Sequence, residues 1–275
     1  MQTQRIKQTT QNVIQKDRVK LEDIEQEKSI KKSSNKYENV KIGIIIPAYN
    51  EEKNIENVLK RLHKYNNYEF DIIVIDDGST DKTCHIIDDY NVFLLKHEKN
   101  EGNGAATITG LRYCRENNYD IVLIMDADGQ HDPSDIPYFL DKIIAENNDF
   151  VIGNRFKYVY QGAPLKKLCS LILTVLYLIL YRKKVSDPTN GFRALSSKVV
   201  NKINLESQYS VTQEMLFKVI PYFKWKEIPI KVFKRENGHS FIKLKYYFLK
   251  MIYLTFKFYL LPKLRKAENT VNLTN

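Results

Sequence analysis

From residue 40 onward the chain alternates between two textures. Short runs of β-branched and aliphatic residues, at 42–46, 72–75, 92–95, 121–125 and 150–152, each end in turn-forming or polar residues. Continuous apolar runs of that length predict strands buried on both faces, as in parallel sheets. Between them, residues 51–65, 82–90, 105–117 and 133–146 carry the mixed apolar and polar pattern of amphipathic helices. Strand alternating with helix predicts an α/β domain with a mostly parallel central sheet flanked by helices. Ligands of such sheets gather beyond the carboxyl ends of the strands, so the residues after each apolar run carry the interest.

Both ends of the chain break this rhythm. Residues 1–39 set isolated apolar residues such as Val13, Ile14, Leu21 and Ile24 among Gln, Lys, Glu, Ser and Asn. They contain no apolar core of a signal peptide and predict a disordered or partly helical polar tail, with a partner helix as the alternative. Residues 168–180 form an apolar run of thirteen between Lys166, Lys167 and Arg182, Lys183, Lys184. A spanning helix needs about 20 apolar residues, so this run predicts a helix at about 165–182 lying in a membrane interface, with a helix buried in the core as the alternative. In 241–261, Lys243, Lys250 and Lys257 recur every seven residues among Tyr, Phe, Leu, Ile and Met. That pattern predicts an interfacial helix whose lysines reach lipid phosphates, with a bilayer-spanning helix as the lesser alternative. The expected organisation is a tail over 1–39, a catalytic domain over 40–240, and a basic amphipathic segment over 241–275.

Charge sharpens this division. The 275 residues carry a formal charge of +10, divided as +3 over 1–39, −2 over 40–222 and +9 over 223–275. A cationic block saturated with aromatic residues suits an anionic membrane surface rather than nucleic acid. Cys84, Cys114 and Cys169 form neither a CxxC pair nor a metal-ligand spacing, so no disulfide framework or zinc site is expected and a cytosol-facing compartment is the default.

Three polar loops follow three predicted strands: Pro47-Ala48-Tyr49-Asn50-Glu51-Glu52, Asp76-Asp77-Gly78-Ser79-Thr80-Asp81, and Asp126-Ala127-Asp128-Gly129-Gln130-His131-Asp132. Each alone could be an ordinary turn capping the next helix. Three gathered at one sheet edge concentrate carboxylates that call for a compensating cation or a hydroxyl-rich ligand. Asp126, Asp128 and the Gln130 amide oxygen have the hard-oxygen chemistry for Mg²⁺ or Mn²⁺, which bind few protein oxygens and complete their shell with substrate phosphates. His131 could add a softer ligand, although capping or packing is the commoner use of such a residue.

These loops in this order resemble the family 2 glycosyltransferases of GT-A fold. The likeness continues through Gly153-Asn154-Arg155, 187–193 (DPTNGFR), Glu214 and 235–240 (RENGHS), and the later motifs look like the branch that includes dolichyl-phosphate mannosyltransferases. Asn154 and Phe241 depart from the residues usual there. The resemblance implies a metal-dependent, inverting transfer of a hexose from a nucleotide-sugar to a polyprenyl (dolichyl) phosphate on the cytosolic membrane face. The sugar donor would be GDP-mannose, UDP-glucose or UDP-N-acetylhexosamine, and a membrane-anchor or flippase partner is plausible. It further implies that Pro47, Tyr49, Glu51 and Asp77 hold the nucleoside, that Asp126, Ala127, Asp128 and Gln130 surround the metal and diphosphate, and that the 102–106 turn admits the sugar donor. Arg155, Arg193, Arg235 and Ser240 would meet phosphate, Arg155 and Arg235 touching the nucleotide-sugar as well. Asp128, Arg155, Arg193 and Glu214 would be catalytic, with Asp187 or Glu214 orienting the acceptor. The competing readings are a family 2 enzyme acting on a saccharide acceptor and a membrane-bound nucleotide-sugar binder without activity.

Overall fold

The computed structural model describes residue 37 and residues 39–65, 69–157, 164–233 and 252–261. Among the described residues seven strands form one sheet: β1 (Ile42–Ala48), β2 (Phe70–Asp76), β3 (Phe93–Lys96), β4 (Ile121–Ile124), β5 (Phe150–Asn154), β6 (Arg193–Ser196) and β7 (Trp225–Pro229), in the order β3-β2-β1-β4-β6-β5-β7. All neighbours run parallel except β6, which is antiparallel to both β4 and β5. The expected mixture of strands and helices is therefore present, with one reversed strand wedged into a parallel sheet. Strands β6 and β7 were not expected. Arg193-Ala194-Leu195-Ser196 offers only two apolar residues, and Trp225–Pro229 alternates as an edge strand does.

The helices are α1 (Ile55–Lys64), α2 (Thr83–Asp88), α3 (Asn103–Glu116), α4 (Ile136–Ile144), α5 (Pro164–Tyr181), α6 (Ser197–Lys202) and α7 (Val211–Val219). In α1 the residues Ile55, Val58, Leu59 and Leu62 recur at helical spacing and are all buried. Burial of each such side chain contributes about 1.5–3 kcal/mol, which is what holds the helix on the sheet. The turn before α4 is closed by Asp132, whose Oδ1 accepts from Ser134 N at 3.0 Å, with Pro133 following as a ready-made helical start. Cys84 and Cys114 are free thiols, and burial pushes the Cys114 pKa up to about 12.

Helix α5 is two-faced. Leu173 and Tyr177 join the core and Tyr177 Oη donates to Gln213 O at 3.2 Å, whereas Leu171, Val175, Leu178 and Ile179 lie 47–70% exposed. Residues 252–261 form a further helix, with a π turn at Phe256–Leu260. Its Leu254 is buried in the same core, so this part of the expected C-terminal segment is seated on the domain, and Ile252, Tyr253, Phe256 and Leu260 remain exposed. Lys257, one of the lysines expected to reach lipid, pairs with Glu206 Oε2 through its Nζ at 2.6 Å. Lys243 and Lys250 lie outside the described residues, as does nearly all of the polar segment 1–39. Among the described residues no helix is long and apolar enough to cross a membrane.

Candidate active site

The first two polar loops are zipped together. Asn50 Oδ1 accepts from Thr80 N at 2.8 Å, Asn50 N donates to Ser79 Oγ at 3.0 Å, Glu51 N donates to Thr83 Oγ1 at 2.8 Å, and Glu52 and Asp81 exchange bonds with the backbone of 82 and 52. Polar residues immediately after a strand have unpaired loop amides within reach, and here they satisfy them across two loops. Of the residues expected to hold a nucleoside, Pro47 is buried within β1, Tyr49 is half-buried at its end, and the half-buried Glu51 also accepts from Asn54 Nδ2 at 2.6 Å.

Asp77 is almost fully buried. Its carboxylate accepts from Glu101 N at 3.0 Å and Gly102 N at 2.8 Å, and from the His97 ring at 2.7 Å. His97 must donate through Nδ1, because a carboxylate only accepts; in the neutral ring Nε2 then receives the Thr109 hydroxyl at 3.0 Å. Asp77 thus fixes the turn into α3. That turn was expected to admit the sugar donor through its glycines, but protein occupies the space. Gly104 N donates to Gln208 O at 2.6 Å, and a Cβ on Gly104 would lie 2.1 Å from Ser207 O. Backbone-to-backbone packing, not ligand approach, requires glycine there.

The third loop carries the two carboxylates. Asp126 is partly exposed beside Gly191, where a Cβ would come within 2.7 Å of Asp126 Oδ2. The protein packed around Asp126 raises its pKa and Asp128 raises it further, while His131, Arg155 and Arg193 oppose the rise. Asp126 N donates to His131 Nδ1 at 3.3 Å, which leaves the other ring nitrogen 3.8 Å from Asp126 Oδ2. His131 is buried and stacked on Phe192, so its place is beneath the loop rather than among exposed ligands. Asp128 Oδ1 accepts from Gln130 N, and Ala127 is buried between the two acids. Arg61 of α1, which no motif singles out, braces the loop by donating to Gly129 O at 3.1 Å and lying 3.5 Å from Asp132. From the far side, Phe233 N donates to Gln130 O and Gln130 Nε2 to Phe233 O, turning the amide oxygen the other way.

Two half-exposed carboxylates and one amide oxygen fit a hard divalent cation that retains water or takes phosphate oxygens. Among the described residues no group of three or more His, Cys, Asp and Glu converges into a closed cage. A small cavity adjoins Asp126, lined by Asn103, Thr107, Gly191, Arg193 and Thr212 among others.

The expected phosphate-binding arginines divide. Arg155 grips Asp187 in a fork, Nε to Oδ2 and Nη2 to Oδ1 both at 2.8 Å, and Nη2 also donates to Thr189 Oγ1 at 2.7 Å. Asp187 is fully buried, and its own turn is held by Glu227 of β7, whose Oε1 accepts from Ser186 N and Asp187 N. Burial raises the Glu227 pKa. Asp187 therefore aims Arg155, which stays partly exposed and whose charge is felt at Asp126.

Arg193 sits deeper, against the cavity beside Asp126. It is 1% exposed and donates to Asn190 O at 2.9 Å, Thr212 O at 2.6 Å and Pro188 O at 3.0 Å, which makes it an internal clamp joining the 187–192 turn to α7. Glu214 is enclosed likewise. Fully buried, its carboxylate accepts from Glu206 N at 3.0 Å and Ser207 N at 2.7 Å and pairs with Lys218 at 2.7 Å. It holds the 206–208 loop against Gly104, and Glu206 reaches in turn to Lys257. Arg235 and Ser240 lie outside the described residues.

Comparison with known proteins agrees with this arrangement. The model of the family described as glycosyl transferase family 2 matches residues 43–203. The chain is 38% identical over 200 residues to a UDP-N-acetylglucosamine–dolichyl-phosphate N-acetylglucosaminyltransferase of Methanococcus voltae, covering 64% of this chain and 78% of that protein. It is 30% identical over 214 residues to an undecaprenyl-phosphate mannosyltransferase of Micrococcus luteus, covering 73% and 87%. Its fold matches glucosyl-3-phosphoglycerate synthase of Mycobacterium tuberculosis, solved with Mn²⁺, uridine diphosphate and glucosyl-3-phosphoglycerate, at a TM-score of 0.66 and 20% identity over 84% of each chain. A seven-stranded mixed sheet, two acids on the loop after β4 and a family match over more than half of its length together make one statement: this chain belongs to glycosyl transferase family 2 and is a glycosyltransferase.

Proposed function

We propose that this enzyme moves a hexose or N-acetylhexosamine from a nucleotide-sugar to a polyprenyl phosphate, with inversion, at the cytosolic face of a membrane. The observation that carries the reading is the Arg155 guanidinium, held partly exposed by its pairing with the buried Asp187. A permanently charged guanidinium held in place favours an anionic phosphate acceptor over a neutral sugar hydroxyl. The relatives named for dolichyl-phosphate and undecaprenyl-phosphate transfer support the same acceptor class. The exposed apolar faces of α5 and of residues 252–261 support a peripheral seat on lipid.

In this reading Asp126, Asp128 and Gln130 would hold Mg²⁺ or Mn²⁺, in keeping with the Mn²⁺ and uridine diphosphate in the structurally similar synthase. Such a cation neutralises charge on the departing diphosphate. An acceptor phosphate oxygen attacks the anomeric carbon, the bond from that carbon to the diphosphate oxygen breaks, and the nucleoside diphosphate leaves with the electron pair. A phosphate monoester is largely ionised at neutral pH, so no strong general base is required. Glu214, buried and fully engaged, is accordingly not needed as one.

The test is transfer of radiolabelled sugar from a panel of GDP- and UDP-sugars to polyprenyl phosphate in detergent, with and without EDTA. A lipid product labile to mild acid, formed from one sugar donor and lost with EDTA, is expected. Transfer to saccharides or to water alone overturns the acceptor assignment and leaves the family standing.

A further inference from the structure

The far end of α7 borders a second concavity of about 730 Å³. Val211, Thr212 and Met215 of this helix face the cavity beside Asp126, whereas Phe217 and Lys218, with Tyr222 beyond the helix, line the second concavity. The nine residues of α7 span about 13 Å, which keeps the two spaces apart. Its volume falls within the range of about 300–1,000 Å³ usual for sites that enclose a small ligand.

The lining is chemically polarised. Tyr181, Phe217, Phe223 and Phe258 supply an aromatic body, and among the described lining residues three lysines, Lys183, Lys202 and Lys218, stand with no acidic residue. Lys218 is committed to Glu214 and Glu206. Lys183 donates to Ile220 O at 2.7 Å, a neutral carbonyl, and Lys202 is exposed. Two cations beside an aromatic trough match a ligand with an anionic head and an apolar body. The source of the apolar body follows from continuity. The walls contributed by Leu180 and Tyr181 end α5, and those from Phe258 and Tyr259 belong to the 252–261 helix, the two elements whose outer faces are exposed and apolar.

We propose that this groove is a binding site for one anionic phospholipid, its phosphate on Lys183 and Lys202 and the start of its acyl chains over the aromatic rings. The proposal rests on the membrane-surface reading above for the identity of the apolar part.

The test titrates the full-length protein with monomeric dihexanoylphosphatidylglycerol, dihexanoylphosphatidylcholine and glycerol 3-phosphate in a calorimeter. One saturable site for phosphatidylglycerol is expected. In the double variant Lys183→Glu, Lys202→Glu its affinity falls about tenfold or more, the usual effect of losing hydrogen bonds to a charged group. The charge-matched pair Lys64→Glu, Arg112→Glu, on other helices, keeps the wild-type affinity. Tyr222→Ala, which alters an 81% exposed side chain at the groove, weakens phosphatidylglycerol without unfolding the protein. Equal affinity for phosphatidylcholine, equal affinity for glycerol 3-phosphate, or full affinity in the Lys183→Glu, Lys202→Glu protein overturns the site. Sedimentation with phosphatidylcholine vesicles separates the two readings. A protein that pellets with vesicles but fails these titrations has lost the lipid site alone; one that passes them but never pellets keeps the site and loses the membrane seat.

Discussion

The half of the sheet built on β1, β2 and β4 and the half built on β6, β5 and β7 spend their polar residues differently. In the first, short side chains stitch one loop to the next and leave Asp126 and Asp128 at the open edge. In the second, charged residues that look chemically active are buried: Asp187 and Glu214 fully, Arg193 to 1%. Burying an ion without partners costs several kcal/mol, so each of these is surrounded by backbone groups or an opposite charge. The comparison teaches that a charged residue in a motif can be indispensable because it holds a shape, without ever meeting substrate.

The largest effect expected from breaking this contrast is on the open side. Asp128→Ala should reduce sugar transfer about a thousandfold while thermal unfolding stays near wild type, because the carboxylate serves charge neutralisation more than packing. A tenfold loss or less would remove Asp128 from the metal and diphosphate site. On the buried side, Arg193→Met strands three carbonyls and should cost about 3 kcal/mol in urea unfolding. Undiminished stability together with abolished transfer to lipid phosphate would make Arg193 a ligand after all.

A pH titration sharpens the picture of what holds the segment flanking the acidic loop. Asp135, 4% exposed, accepts from Lys231 N at 2.9 Å, and burial raises its pKa to about 7. Since the folded state holds this proton more tightly than the unfolded chain, the contribution of Asp135 is greatest in acid. It is lost as pH rises from the ordinary carboxylate range through 7. Asp135→Asn should flatten that dependence by about 2 kcal/mol between pH 5 and pH 7, read from unfolding midpoints at each pH. The smallest change concerns Glu214. Glu214→Gln keeps acceptor capacity at the 206–208 loop but loses the pair with Lys218, so KM for the sugar donor should rise a few fold with kcat within about twofold. A thousandfold fall in kcat would restore Glu214 as a catalytic group.

The parallel part of the fold was legible because strands buried on both faces must be continuous and apolar, as in Ile44-Ile45-Ile46 and Ile72 to Ile75. The three loops were legible because polar residues sit directly after those runs. Strand β6 was not, since a four-residue strand beginning with a buried arginine has no periodic signal. Residue type likewise could not separate Arg155 from Arg193. Both lie in turns rich in Asn, Gly and Asp, and only the carbonyls of 188, 190 and 212, gathered from two segments, reveal that one is consumed. Arg61 and Glu227 gave no warning at all, because a charged residue on an amphipathic helix or an edge strand is normally just a solvated one.

The pair between Lys257 and Glu206 has a practical bearing on how this enzyme can be handled. Glu206 belongs to the loop whose Gln208 carbonyl grips Gly104, so the C-terminal helix is wired to the turn beside the acidic site. A chain shortened before residue 252 to improve its behaviour in solution would give up that restraint together with its apolar surface. Weak turnover in such a trimmed protein would report a slackened loop as much as a missing bilayer, and inhibitors selected against it would be fitted to a looser pocket than the one the whole chain presents.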